Sequence, residues 1–118
     1  MKEIKIVKID WKKTGIALQY LRENNYNLKK YVCYYNKVNN FNDSERYFCY
    51  NIPIYDCDNC DKEMDKKISR RELGRVFSVS EDIVENWENG ETIIDIEELI
   101  MYSKISGTDI FDILVFED

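Results

Sequence analysis

At 118 residues and a net charge of −6, the chain can bury one hydrophobic core but not two, and is read as a single domain over 1–118. Its composition is globular, and it shows neither an apolar run of membrane-spanning length nor a secretory leader. Histidine is absent, which removes the commonest general base and any Cys/His or Ser/His pair, so no enzyme is expected.

Residues 2–9 are β-branched and partly alternating and predict a short N-terminal strand or arm, packed on the core or paired with a symmetry mate. Asp10 then caps a first helix over 10–24, with Trp11, Thr14, Leu18 and Leu21 facing inward at spacings of three and four. From 25 the pattern changes. Leu28, Tyr31, Val32 and Tyr35 fall at i, i+3, i+4 and i+7 and predict an amphipathic helix. Lys29, Lys30, Tyr34 and Lys37 fill its other face, either as a solvated surface or as contacts to a nucleic-acid backbone. Residues 36–46 read as an Asn-rich loop, and Tyr47–Tyr55 as extended or irregular chain in which Pro53 argues against a central strand.

This middle segment holds all four cysteines, which without a leader read as reduced thiols of a cytoplasmic protein or as metal ligands. Cys57 and Cys60 form a C-x-x-C whose two thiolates can reach one zinc ion, and Cys33 with Cys49 would complete a four-sulfur structural site. Cys33 and Cys49 equally suit small core positions. Asp56, Asp58 and Asp61 raise nearby thiol pKa values and oppose a redox role.

The stretch from Ile68 to Gly90 carries the strongest local signals. Ser69 and Glu72 make a capping box, starting a helix that buries Leu73, Val76 and Phe77. Ser78-Val79-Ser80 is a turn, Ser80 caps a second helix with Ile83, Val84 and Trp87 inward, and Asn89-Gly90 supplies a left-handed stop. Two helices of about eight residues joined by a tight turn have the dimensions of a DNA-reading helix-turn-helix. Asp95 with Glu98 opens a further helix carrying Ile96, Leu99, Ile100 and Tyr102, which Ser106-Gly107 ends. Thr108 caps a last short helix packing Ile110, Phe111 and Leu114, with Val115 and Phe116 left as a candidate dimer seam.

Residues 69–90 resemble the lambda-repressor/Cro-like, or xenobiotic-response-element type, helix-turn-helix domains, whose pattern is S-x-x-E-L-(A/G)-x-x-(hydrophobic)-x-V-S-x-x-x-(I/V)-x-x-W-E-x-G. Gly15–Arg22 is similar to that family's first helix, and Glu97-Glu98-Leu99 and Asp109–Leu114 to its fourth and fifth. The resemblance implies a mainly α, five-helix bundle over 10–24 and 68–116, interrupted by an insertion at 25–67. It further implies a buried ion pair between Arg22 and Glu88. It implies DNA contacts from Arg70 and Arg71 to phosphates, and from Ser80, Glu81, Asp82 and Asn86 in the major groove, with a homodimer on a two-fold site.

Charge pulls the other way. Residues 1–67 hold 13 Lys and Arg against 10 Asp and Glu, whereas 68–118 hold 4 against 13. A phosphate-binding face should be positive, because counterion release drives most of its affinity. Two expectations therefore stand: a sequence-specific DNA-binding transcriptional regulator, or an acidic protein-binding or DNA-mimicking inhibitor of the phage or mobile-element kind on the same fold. The first takes duplex DNA as partner, the second a nucleic-acid-binding protein.

Overall fold

Asp10 starts the first element by chemistry that its side chain dictates: Oδ1 accepts the Lys13 N–H at 2.9 Å, satisfying a donor that a helix start otherwise leaves unpaired. In the computed structural model, which describes residues 7–39 and 67–117 apart from the Lys37 side chain, this opens α1 (Trp11–Asn24). Asn25 ends it in an extended conformation and at once caps α2 (Tyr26–Val38), its side chain accepting the Leu28 N–H at 2.8 Å. Then come α3 (Arg70–Phe77), α4 (Glu81–Asn89), α5 (Ile96–Ser106) and the single turn α6 (Ile110–Ile113). The protein is mainly α. Among the described residues no strand forms, and β-type pairing is confined to an antiparallel bridge between Ile9 and Phe116.

α4 packs against α1 and α3, α2 packs against α1, α3 and α5, and α6 closes against α5 and α1. The core between them is built from Leu18, Leu21, Leu28, Val32, Leu73, Val84, Trp87, Leu99, Tyr102 and Ile113. Each such side chain contributes roughly 1.5–3 kcal/mol when withdrawn from water. Phe77, Trp87 and Tyr102 form its aromatic centre, joining α3, α4 and α5: Phe77 stacks on Tyr102 at 4.8 Å between ring centroids and meets Trp87 edge-on at 5.7 Å.

Two glycines set how closely the elements approach. At Gly15 an added Cβ would run into the Glu88 carbonyl oxygen and lie 2.6 Å from that of Trp87, so α1 crosses the last turn of α4 with backbone against backbone. At Gly74 it would lie 2.6 Å from the Val79 carbonyl oxygen, which keeps the turn after α3 tight. Ser78 makes that turn in the left-handed region, at φ 57°, and Gly90 ends α4 at φ 74°.

Several expectations are corrected. The second helix extends through 36–38, so Asn36 is a wholly buried helical residue instead of loop. Lys29 and Lys30, placed on a solvated or nucleic-acid-facing side, are 6% and 1% exposed. α2 has neighbours on more than one side, so its buried arc is wider than the apolar stripe alone. The lysine stems fill it, and the Lys30 ammonium lies 4.6 Å from the Tyr26 ring centroid, one turn earlier. Ile96 and Ile100 are exposed, because the face of α5 fixed by Leu99, Tyr102 and Ser106 turns them outward; Ile83 is likewise exposed on α4. Asp109, not Thr108, caps α6, and Ile113 is its buried residue while Phe111 is 74% exposed. Ser80 and Asp95 occupy cap positions without a side-chain capping bond, whereas Ser69 and Glu72 make both bonds of their box.

Residues 2–6 of the expected strand, the expected loop beyond residue 39 and the Tyr47–Tyr55 stretch lie outside the described residues. At the expected Val115–Phe116 seam the start of α1 engages the Val115 backbone, Asp10 N–H donating to its carbonyl at 2.7 Å and Val115 N–H donating to Thr14 Oγ1 at 2.9 Å, while Phe116 bridges to Ile9 and remains 39% exposed. No helix among the described residues is long and apolar enough to cross a membrane.

Replacing Gly15 by Ala should force α1 and α4 apart and destabilise the protein by about 1–3 kcal/mol. Chemical denaturation of the G15A protein measures this, and an unchanged midpoint would mean the helices are not in backbone contact.

Candidate nucleic-acid interface

The candidate site begins with a buried carboxylate. Val84 and Trp87 turn one face of α4 into the core, and helical spacing carries Glu88 in with them; its side chain is fully buried. A lone buried carboxylate is costly. Arg22, in the last turn of α1, meets it with two parallel bonds, Nε to Oε2 at 2.7 Å and Nη2 to Oε1 at 3.1 Å. The remaining Arg22 nitrogen, Nη1, donates to the Ile68 carbonyl at 2.6 Å, just before the Ser69 cap of α3. Arg70 then adds a third bond to the same carboxylate, Nε to Glu88 Oε1 at 2.9 Å, with Nη1 3.9 Å from Glu85. One carboxylate thus ties α1, the start of α3 and the end of α4.

Electrostatics follow the geometry. The hydrogen bond to Glu88 holds the Arg70 guanidinium above its usual range, so Arg70 stays charged. Burial pushes the Tyr102 phenol well above its usual range; the Glu88 charge adds to this and Arg22 opposes it. The Tyr102 hydroxyl, fully buried, has no hydrogen-bond partner among the described residues. On the surface, the hydrogen bond from Lys67 holds the Glu23 carboxyl below its usual range, at an N–O distance of 2.9 Å.

With α4 fixed at its C-terminal end, its first turn faces outward. Ser80, Glu81 and Asp82 are exposed, as is Glu85 one turn on, and Asn86 is half-buried. Arg71 is exposed at the start of α3, while Arg70 is 33% exposed and turned onto Glu88 and Glu85. The structure therefore brings Ser80, Glu81 and Asp82 together on the start of α4, and draws Arg70 into the ion-pair cluster with Arg22 and Glu88. Exposed Lys12 stands on α1 beside the end of α4, where an added Cβ on Gly90 would lie 2.7 Å from its Cα.

Sequence reasoning missed a second polar clasp, between α2 and α3. Asn36 Nδ2 donates to the Val32 and Glu72 carbonyls at 2.9 and 3.1 Å, and its Oδ1 accepts from Arg75 Nη1 at 3.1 Å. The only available signal was an asparagine one turn past Val32 on the apolar side of the helix. An open groove between α1 and α6, lined by Ala17, Tyr20, Leu21, Asn25, Thr108, Asp112 and Ile113, includes none of the named site residues. Of the candidate zinc ligands, Cys33 is buried on α2, and Cys49, Cys57 and Cys60 lie outside the described residues. No group of three or more Cys, Asp or Glu among the described residues is placed to hold a metal ion.

Comparisons with protein-family models, curated proteins and solved structures return no match to this chain.

The two arginines on Glu88 should differ in weight. Arg22→Met strands a buried charge and should cost about 3–5 kcal/mol, whereas Arg70→Ala, at a partly solvated site, should cost about 1 kcal/mol or less. Urea unfolding of the two variants reads the difference, and equal costs would contradict the assignment of Arg22 as the main partner.

Proposed function

We propose that the protein binds duplex DNA as a helix-turn-helix reader of the lambda-repressor-like type, with α4 entering the major groove and two copies meeting a two-fold site. The observation that carries this reading is the posture of α4: its end is anchored through Glu88 while its first turn stands free of the protein's own packing. A reading helix needs both properties, since base-edge hydrogen bonds reward only side chains held in register with the groove. Asn86 is suited to adenine N6 and N7, Glu81 or Asp82 to the cytosine amino group, and Ser80 to either; Arg71 and Lys12 flank the rod as phosphate contacts. Arg70, half-committed to Glu88, neutralises the carboxylates of α4 and contributes less to the backbone than its position in sequence implies.

One observation favours a second reading. Glu81, Asp82 and Glu85 are exposed on α4 without an exposed cation on the same helix, and Glu91, Asp95 and Glu97 continue the acidic surface into α5. Lys29 and Lys30 are buried on α2 and add no exposed cation to the surface. Such a face fits the basic cleft of a nucleic-acid-binding protein, which it would occupy as a DNA mimic.

Fluorescence anisotropy of labelled duplexes selected from a random pool separates the two. The DNA reading expects affinity that falls steeply with salt, a slope lowered by about one unit in Arg71→Ala, and a loss of roughly 1–3 kcal/mol at one base position in Asn86→Ala. Absence of duplex binding at low salt would remove the DNA reading and leave the acidic one.

A further inference from the structure

The outer face of α5 is unexpectedly apolar for an acidic surface. Leu99, Tyr102 and Ser106 fix the buried side of the helix, and the opposite side carries Ile96 and Ile100, 63% and 38% exposed, with exposed Glu97 and Lys104 beside them. Ile96, Ile100 and Lys104 succeed one another at intervals of four, so they line one stripe, and Glu97 borders it next to Ile100. Ile93, also exposed, stands just ahead of the helix. None of these residues serves the core or the Glu88 cluster.

We propose that this stripe is the seat of a second copy of the chain, packed as an antiparallel α5–α5 pair about a two-fold axis at Ile100. The occupant follows from charge. Lys104 is the one cation between residues 76 and 117, and it lies four residues after Ile100, while Glu97 lies three before it. An isologous antiparallel pairing centred on Ile100 stacks that residue on its mate and lays the Lys104 stem over the mate's Ile96. At a rise of about 1.5 Å per residue, it leaves each Glu97 and the mate's Lys104 offset by only about 1.5 Å along the axis, on the same side of the seam. The stripe is thus complementary to itself in sign, with Ile96 and Ile100 as its apolar centre. A lysine in the last turn also suits the helix dipole, but that role asks nothing of Ile96 and Ile100. The seam deepens the two-fold DNA reading and takes its purpose from it; self-association is measured without DNA, so failure of one is distinguishable from failure of the other.

Sedimentation equilibrium of the full chain, from low micromolar to submillimolar concentration, tests the seam. The expected result is a monomer–dimer equilibrium that Ile100→Glu weakens at least about tenfold, the equivalent of roughly 1.4 kcal/mol. Glu97→Lys and Lys104→Glu should each weaken it, and the doubly swapped protein should recover dimerisation. Both sites are exposed, so circular dichroism should confirm an unchanged fold in every variant. A chain that stays monomeric throughout, a dimer indifferent to Ile100→Glu, or single swaps without recovery in the double would each overturn the proposal.

Discussion

Glu88 is the hinge of this structure in the chemical sense: a carboxylate withdrawn from water that persists because two arginines reach it from different helices. Its burial is a consequence of position, one residue past Trp87 on the face that α4 turns inward. Once there, it requires counter-charge, and the Arg22 fork supplies it in the bidentate geometry that suits a planar guanidinium. The same arginine spends its last nitrogen on the Ile68 carbonyl, so the residue that neutralises α4 also positions the start of α3. A buried pair of this kind is weak evidence of net stability, since hydrophobic residues of equal volume often do as well. Its value lies in direction: the angle between α1, α3 and α4 is set by hydrogen bonds that tolerate little displacement, and Gly15 permits the backbone approach that those bonds demand.

α2 is an integral part of the bundle. It is not appended to the outside but fills the space between α3 and α5, burying Leu28 and Val32 and clasping α3 through Asn36. The unit formed by α3 and α4 is therefore held from two sides, by Glu88 toward α1 and by Asn36 and Arg75 toward α2. Both clasps leave the first turn of α4 untouched. That division, polar anchors behind and open carboxylates in front, is what makes the exposed turn a candidate reading surface.

Much of this was legible in the sequence where the signal was local. The Ser69–Glu72 box, the Asn89-Gly90 stop and the Leu73, Val76, Phe77 triplet are short-range patterns, and the helices begin and end where they indicate. Legibility failed where the answer depends on what lies opposite. Lys29 and Lys30 read as solvated because a stripe pattern assumes one packed side, and α2 has more. Phe111 read as packed because it is apolar, although the register set by Ile113 turns it out, and the register set by Leu99 and Tyr102 likewise turns out Ile96 and Ile100. The bond of Arg70 to Glu88, eighteen positions away, is a tertiary fact with no local trace. The pairing of Arg22 with Glu88 is implied by the family resemblance and has no trace in spacing.

The claim on which the rest depends is that Arg22 and Glu88 act as a unit in holding α4. A double-mutant cycle on unfolding free energy, using Arg22→Met, Glu88→Leu and the combined protein, measures it most directly. Removing both charges should cost far less than the two single losses added together, with a coupling of about 2 kcal/mol or more. Single effects that add within about 0.5 kcal/mol would contradict it.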